Sequence, residues 1–237
     1  MELNRKSALP APEHKREFVR DLFDRIAPRY DLMNRLMTLG MDQSWRRAAL
    51  DDVELEPREL IVDLATGTGD FVELAAARGA TAVGVDLAPG MLRAARQRLP
   101  NGLFVQADAG QLPLPDASAN VITCGFALRN FTDLEGIFAE CARVLVPGGR
   151  LVFLEVDEPR SRLLRWGHAL HFRYVVPRLG AWISDAEAYR YLPASAAYLP
   201  GEAQLCVRLE QAGFVRVKKR RHLLGAVQQI RATRSEP

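Results

Sequence analysis

Apolar residues along this chain alternate between two spacings. Short apolar runs, typical of buried strands, are each followed by a segment whose apolar residues lie three and four positions apart, as in a helix. Such alternation predicts βαβ units and therefore a parallel sheet with right-handed crossovers. The predicted strands cover 61–64, 81–86, 103–106, 120–124 and 150–156, and the predicted helices between them cover 71–78, 89–99 and 134–146.

The pattern changes after residue 200. A helical segment at 202–212 ends at Gly213, and two further strands are predicted at 214–222 and 226–232, joined at Leu224-Gly225. So short a connection requires an antiparallel pair. The predicted fold class is therefore α/β, a doubly wound sheet that is mostly parallel and ends in an antiparallel hairpin. A dehydrogenase would continue with parallel units instead.

Two segments flank or interrupt the alternating part of the single domain predicted at 15–237. The segment 15–55 is predicted to be a helical cap, whereas 1–14 is charged and is predicted to be disordered. Tyr30 lies on a break between two cap helices, so we expect it to contact a ligand. The insertion 157–200 is rich in aromatic residues and arginine, which indicates either a wall of a substrate pocket or a subunit interface.

The turn Gly67-Thr68-Gly69 follows the first strand, which contains Asp63. Glycine allows a tight turn and lets a ligand approach the backbone. Asp86 and Asp108 follow the next two strands, and an acid at this spacing suits ribose hydroxyls. Each acid alone is explained as well by turn capping, but together they favour a nucleoside site. Val72 replaces the last glycine of a dinucleotide motif, which favours a nucleoside without phosphates, such as S-adenosylmethionine.

Composition narrows the choice further. Of 237 residues, 48% are hydrophobic and 26% are charged, and the net charge of +3 does not indicate a nucleic-acid binder. The three cysteines have no paired spacing, so we expect no disulfide, no metal site and a reduced cytoplasmic setting. No apolar run approaches the roughly 20 residues that span a bilayer. The basic run 216–222 is either the solvated face of an edge strand or a patch for anionic lipid.

Longer motifs carry a family resemblance. The glycine turn with its acids and Pro147-Gly148-Gly149 resembles the class I S-adenosylmethionine-dependent methyltransferases, which have a Rossmann-like fold. Three further motifs resemble one family among them, the quinone-biosynthesis C-methyltransferases, which make menaquinone or ubiquinone from their demethyl precursors. These motifs are Phe23-Asp24-Arg25-Ile26-Ala27-Pro28-Arg29-Tyr30-Asp31-Leu32-Met33-Asn34, Gly125-Phe126-Ala127-Leu128-Arg129-Asn130 and Tyr189-Arg190-Tyr191-Leu192-Pro193-Ala194-Ser195.

The resemblance implies S-adenosylmethionine as the cofactor. Its methionine part would lie along the glycine turn, its ribose would meet Asp86, and its adenine would meet Asp108 and Ala109. Gly125 stands where the family commonly has a serine, so we expect only a backbone contact there. The implied cofactor-binding residues are Asp63, Gly67, Thr68, Gly69, Asp86, Leu87, Asp108, Ala109 and Gly125.

The implied reaction is C-methylation of a demethylmenaquinol. Two alternatives stay open: the corresponding benzoquinol of ubiquinone synthesis, and another small molecule. A non-catalytic cofactor-binding protein is a third reading, against which the intact motifs argue. A prenylated quinol as substrate implies peripheral membrane contact, with the aromatic insertion or the basic run facing lipid, and a homodimer is left open. An amino-directed nucleic-acid methyltransferase would carry Asn/Asp-Pro-Pro-Tyr where this chain has Gly-Phe-Ala-Leu.

The same resemblance indicates catalytic residues. A hydroquinone carbon is a poor nucleophile until a ring hydroxyl loses its proton. We expect Arg129 to stabilise the phenolate and Asn130 to orient a hydroxyl or a water. The structural alternative pairs Arg129 with Asp133 and lets Asn130 cap the helix that begins near Thr132. The expected substrate contacts are Tyr30, Asn34, His168, Tyr189 and Tyr191, and His168 or His171 is a second choice for the general base.

Overall fold

The computed structural model describes residues 9–157, 191 and 194–236. Seven strands of this part of the chain form one sheet. They are β1 Leu60–Leu64, β2 Thr81–Asp86, β3 Leu103–Gln106, β4 Ala119–Gly125, β5 Leu145–Val156, β6 Phe214–His222 and β7 Val227–Arg234. The order is β3-β2-β1-β4-β5-β7-β6, parallel from β3 to β5 and antiparallel where β7 meets β5 and β6. The predicted fold class is confirmed.

The described helices lie between the strands and ahead of β1. They are α1 Lys15–Ile26, α2 Tyr30–Thr38, α3 Met41–Asp52, α4 Asp70–Ala76, α5 Pro89–Arg98, α6 Leu134–Val144 and α7 Glu202–Gln211. The first three are the predicted helical cap. Most of the insertion at 157–200 lies outside the described residues. None of the described helices combines the length and the apolar character that a bilayer span requires.

Most elements match the prediction to within two residues at each end, and two regions differ by more. Pro12–His14 form a 3₁₀ turn where a disordered start was expected as far as residue 14. The helix predicted to reach residue 146 ends at Val144, because Leu145 is already extended and pairs with Ala119. The next pairing joins Val121 to Arg150, so 146–149 bulge out of the ladder.

Helices cover both faces of the sheet, which explains why its central strands are almost continuously apolar. One face packs on α6 and α7 through Phe138 and Leu209, and the other packs on α3 and α4 through Leu50 and Phe71. A third cluster joins the cap to α5 and to the end of the insertion; its buried members are Leu22, Ile26, Ala27, Met33, Ala88, Met91 and Tyr191. The cap is thereby fixed beside the edge where the parallel strands end.

Candidate active site

A cavity of about 350 Å³ opens at the carboxyl edge of the sheet, between the cap and the ends of β1, β2 and β4. Open α/β sheets bind ligands at this edge, and small-molecule sites typically measure roughly 300–1,000 Å³. The predicted site residues that line the cavity are Tyr30, Gly67, Asp86, Leu87, Asp108, Ala109, Gly125 and Asn130. The fold therefore brings the expected cofactor-binding residues together with Tyr30, an expected substrate contact, and Asn130, an expected catalytic residue.

The carboxylate of Asp86 ties the glycine turn to the end of β2. It accepts hydrogen bonds from the backbone N–H of Gly67 at 2.8 Å and of Ala88 at 2.9 Å. Burial raises the pKa of Asp86 to about 6, although these amide donors act in the opposite direction. Asp86 is thus fixed in the cavity wall, where it can accept hydrogen bonds from a diol such as that of ribose.

The two glycines of the turn have different tasks. Gly67 and Gly69 both adopt the left-handed conformation, with φ of 58° and 88°. A Cβ on Gly67 would lie 3.6 Å from the ring of Tyr30, so the turn and the cap approach closely at the cavity. A Cβ on Gly69 would lie 3.1 Å from the side chains of Leu99 and Phe104. Gly69 therefore serves the packing behind the turn.

Thr68 and Asp63 support the turn without lining the cavity. The hydroxyl of Thr68 donates to Asp31 of α2 at 2.5 Å, which links the turn to the cap. Asp63 is buried and accepts a hydrogen bond from Thr123 at 2.7 Å. Burial raises the pKa of Asp63 to about 7. Direct contact of either residue with a cofactor stays a prediction.

One face of α1 forms a cavity wall that sequence reasoning missed. Arg16 from this face pairs with Asp108, with 2.5 Å between Nη2 and Oδ2. The sequence signal was the spacing i, i+3, i+4, i+7, which places four residues on one side of a helix. The four lining residues are Arg16, Val19, Arg20 and Phe23.

Arg129 lies in the 3₁₀ turn Leu128–Asn130, which follows β4. Its buried guanidinium forms an ion pair with the fully buried Glu155 at the end of β5. Nη1 also donates to the carbonyl of Phe126 at 2.7 Å, and Nε donates to the hydroxyl of Ser195 at 3.2 Å. Arg129 thereby joins three segments beside the cavity. Sequence reasoning missed Glu155, for which the signal was an acid at the end of an otherwise apolar strand.

The structural alternative for this turn is wrong in both of its parts. Asp133 does not pair with Arg129 but caps α6, accepting the N–H of Gly136 at 2.9 Å. Asn130 lines the cavity, and its Oδ1 accepts a hydrogen bond from the hydroxyl of Tyr191 at 3.1 Å. The Asn130 amide nitrogen is therefore left as a donor.

Lys15 joins the cap to the same turn. Its Nζ donates to the carbonyls of Arg129 at 3.0 Å and Phe131 at 2.8 Å, and lies 3.9 Å from the ring centroid of Tyr198. Burial lowers the pKa of Lys15 to about 8. No local sequence pattern distinguishes this lysine from a solvated one.

The predicted substrate contacts are only partly described. Tyr30 lines the cavity, and burial raises the pKa of its hydroxyl, while a hydrogen bond with Asn34 acts in the opposite direction. Asn34 is thus linked to the cavity by its hydrogen bond with Tyr30. Tyr191 is fully buried and reaches the site through Asn130. His168 and Tyr189 lie outside the described residues.

The lining groups fit a nucleoside without phosphates. In a phosphate site the amides of a glycine turn are free to bind an anion, whereas here the N–H of Gly67 is taken by Asp86. A phosphate at this turn would also meet the charge of that carboxylate. Leu87, Met91 and Ile137 offer apolar surface for a flat base, between acceptors at Asp86 and Asp108.

Comparison with known proteins gives one family over nearly the whole chain. Residues 11–234 match the model of the ubiE/COQ5 methyltransferase family. A demethylmenaquinone methyltransferase of Deinococcus radiodurans is 44% identical over 209 residues, which cover 85% of this chain and 87% of that protein. A ubiquinone/menaquinone biosynthesis C-methyltransferase UbiE of Syntrophotalea carbinolica is 42% identical over 224 residues, which cover 92% and 94%.

Solved structures share the fold. An S-adenosylmethionine-dependent methyltransferase from Thermotoga maritima matches with a TM-score of 0.64 at 22% identity, over 91% of this chain and 99% of that chain. A phosphoethanolamine N-methyltransferase from Haemonchus contortus, solved with S-adenosylmethionine, matches with a TM-score of 0.62 at 13% identity, over 81% and 53%. With its cavity, glycine turn and family match, the chain belongs to the ubiE/COQ5 methyltransferase family and is an S-adenosylmethionine-dependent methyltransferase.

Proposed function

We propose that this enzyme methylates a ring carbon of a demethylmenaquinol in the synthesis of a respiratory quinone. The observation that carries this proposal is the family match over residues 11–234, with relatives named demethylmenaquinone methyltransferase at 44% identity in Deinococcus radiodurans and Thermus thermophilus. The cavity supports it, because a donor side chain, Asn130, lies in the same wall as the expected cofactor residues.

The protein's part in the reaction is to position the two reactants and to exclude water. When bound, S-adenosylmethionine supplies a methyl group activated by the sulfonium. Asp86 would hold the ribose hydroxyls, and Asp108 and Ala109 would meet the adenine. Tyr30 and Phe23 close the cavity on the cap side. The acceptor ring would then lie toward Asn130.

Activation of the acceptor requires that a ring hydroxyl lose its proton. Asn130 is suited to orient that hydroxyl or a water, because Tyr191 occupies its carbonyl oxygen and leaves the amide nitrogen to donate. Arg129 is our candidate for stabilising the phenolate. Glu155 offsets its charge, so its contribution would be a hydrogen-bond donor, Nη2, which makes no hydrogen bond within residues 9–157 and 194–236. His168 and Tyr189 stay predicted substrate contacts.

A benzoquinol is the second candidate acceptor, because the relative from Syntrophotalea carbinolica is named for both quinones. The test is methyl transfer from labelled S-adenosylmethionine, with reduced demethylmenaquinone and a reduced demethylubiquinone analogue offered side by side. We expect transfer to the naphthoquinol. Transfer to the benzoquinol alone would assign the second candidate, and no transfer to either, with the cofactor bound, would contradict the proposal.

We also propose peripheral contact with a lipid surface, since a prenylated quinol is membrane-soluble. Leu32, Leu36 and Leu39 follow helical spacing on and just after α2, and their exposed fractions are 54%, 41% and 83%. Arg35 beside them is exposed as well. An apolar stripe with flanking arginine suits an anionic interface.

The basic run at 216–222 supports this contact less well. Lys219 and Arg221 are already paired with Asp157 and Glu202. The aromatic insertion, the other candidate surface, lies mostly outside the described residues. Sedimentation with anionic vesicles tests the α2 stripe: Leu36→Glu should lower the bound fraction, and an unchanged fraction would contradict it. Sedimentation velocity of the same preparation tests whether the protein forms a homodimer, which the sequence leaves open.

A further inference from the structure

Arg46 of α3 is a buried arginine with unused donors. Its residue is 5% exposed, and Nη1 donates to Asp42 at 2.9 Å, one turn back on α3. Nη2 lies 3.5 Å from Asp70, which is too long for a strong hydrogen bond. Among the residues that the structure describes, Nε has no hydrogen-bond partner. A buried guanidinium in this state calls for a further acceptor.

The guanidinium lies next to the wall of the cavity. A Cβ built on Gly125, at the end of β4, would lie 3.7 Å from Nη2 of Arg46. Gly125 lines the cavity, and so does Phe126, whose ring centroid is 5.5 Å from the guanidinium carbon. The same Cβ would lie 3.2 Å from the ring of Phe71, so a side chain at Gly125 would crowd the approach from the cavity to Arg46.

This space adjoins the glycine turn. β4 pairs with β1, and Cys124 is the partner of Leu64, so Gly125 ends β4 beside the segment that leads into Gly67-Thr68-Gly69. The methionine part of the cofactor is expected along this turn. Its carboxylate is the group that matches a guanidinium in both charge and geometry.

We infer that Arg46 binds the carboxylate of the methionine part of S-adenosylmethionine, and that Gly125 provides the space for this contact. Asp42 and Asp70 do not oppose it strongly. Asp70 is shared with Arg98, which lies 2.9 Å away, and the ammonium of the methionine part accompanies its carboxylate. The amino-acid part of the ligand therefore adds no net charge beside Arg46.

The alternative is that Arg46 only clamps α3 to α4 through Asp42 and Asp70. Loss of the arginine would then loosen the cap and weaken all ligands of the cavity alike. A carboxylate contact predicts something different, because ligands without a carboxylate would be unaffected by the change. Comparing two ligands on one variant separates these roles.

The experiment is calorimetric titration with S-adenosylmethionine and with decarboxylated S-adenosylmethionine. We expect wild type to prefer the carboxylated ligand roughly 10- to 100-fold, the range for a charged hydrogen bond. Arg46→Met should lose most of this preference while it keeps its affinity for the decarboxylated ligand. Arg47→Met is the matched control, because Arg47 is the exposed neighbour on α3 and should keep the wild-type ratio.

An Arg46→Met protein that retains the wild-type ratio would overturn the inference, as would an equal loss of affinity for both ligands. Gly125→Ala provides a second test should Arg46→Met fail to fold. The added methyl group would crowd the ring of Phe71 and Nη2 of Arg46 and leave the pair with Asp42 in place, so the ratio should fall there too. An unchanged ratio in Gly125→Ala would likewise count against the inference. No quinol is present, so failure of the proposed function would not affect these results.

Discussion

The ammonium group of Lys15 donates to the carbonyl oxygens of Arg129 and Phe131, on either side of Asn130. A residue in the first turn of the cap thus holds the turn that carries a predicted catalytic side chain. The partners Lys15 and Arg129 are 114 residues apart along the chain. The cap is therefore part of the active-site wall and also a support for the residues opposite it.

Lys15→Met should destabilise the protein and lower methyl transfer more than it lowers cofactor affinity. The change leaves one buried and one partly buried carbonyl without their donor, at a cost of about 1–3 kcal/mol in the free energy of unfolding for the buried one and less for the other. Urea unfolding and single-turnover transfer measure the two effects. Lys218→Met, at an exposed position of β6, is the control. Equal stability of the Lys15 and Lys218 variants would refute the support role.

The Lys15 contact also predicts a pH dependence of stability. The pKa of Lys15 is lowered from 10.5 to about 8 by burial, so between these values only the unfolded chain holds the proton. The free energy of unfolding of wild type should therefore rise relative to Lys15→Met as the pH increases from about 8 toward 10.5. Below pH 8 both states are protonated, and the difference should be constant. A difference that is also constant above pH 8 would contradict the assignment.

The raised pKa of Asp86 predicts that affinity for a nucleoside falls at acid pH, which gives the pH profile of binding an acid limb. That pKa is about 6, and only the carboxylate can accept from both hydroxyls of a ribose. Affinity for methylthioadenosine, which has the nucleoside but no amino acid, should fall as the pH drops below 6. Asp86→Asn should bind it roughly 10- to 100-fold more weakly at pH 8 and without this limb. A limb that persists below pH 6 in the variant would assign the titration to another group.

Variants of the buried pair Arg129 and Glu155 allow the effect on stability to be measured apart from the effect on methyl transfer. Removing one partner leaves the other charged and buried, so Glu155→Gln and Arg129→Ala should each cost about 3–5 kcal/mol in the free energy of unfolding. The double variant Arg129→Met with Glu155→Leu should recover most of this stability. It should not recover methyl transfer, if Arg129 supplies a donor to the ring oxygen. Full turnover by Arg129→Ala with cofactor bound would remove Arg129 from the mechanism.

Gly148, in the bulge at 146–149, is a matched control for a substitution at Gly69 of the glycine turn. Both have a left-handed backbone, but a Cβ on Gly148 meets nothing within 4 Å, whereas one on Gly69 meets Leu99 and Phe104. Gly148→Ala should lower the free energy of unfolding by only about 1–2 kcal/mol, which is the cost of a left-handed backbone for a residue with a Cβ. Gly69→Ala should cost about 1–3 kcal/mol more in the free energy of unfolding, because the added methyl group would crowd the side chains of Leu99 and Phe104 behind the turn. Equal losses in urea unfolding would show that the turn tolerates a side chain.

Local pattern was enough to predict most of the fold. The bounds of β2, β3 and β6 match the predicted strands, because each lies between clear turn residues. The bulge at 146–149 was missed, since Leu145 leaves the helix in order to pair with Ala119, a partner from another strand. Helical spacing alone does not reveal such a competition between a helix and a sheet.

The residues of the candidate site also divide into those that the local sequence pattern predicted and those that it missed. Asp86 and Asp108 were predicted because the ends of parallel strands meet at one edge, and the cavity contains both. Lys15 and Glu155 were missed because each acts through a buried contact with a distant segment. Spacing along the sequence does not show which partner such a side chain contacts. An isolated lysine, arginine or glutamate is interpreted by default as a solvated side chain.

The central claim is methylation of a ring carbon, and the site of the methyl group tests it most directly. The protein would be incubated with reduced demethylmenaquinone and S-adenosylmethionine that carries a deuterated methyl group. The product would be reoxidised and examined by tandem mass spectrometry. We expect the label on a ring carbon, in a product that reoxidises to a quinone because both ring hydroxyls are retained. Label on a ring oxygen, or no label although the cofactor is bound, would contradict the account.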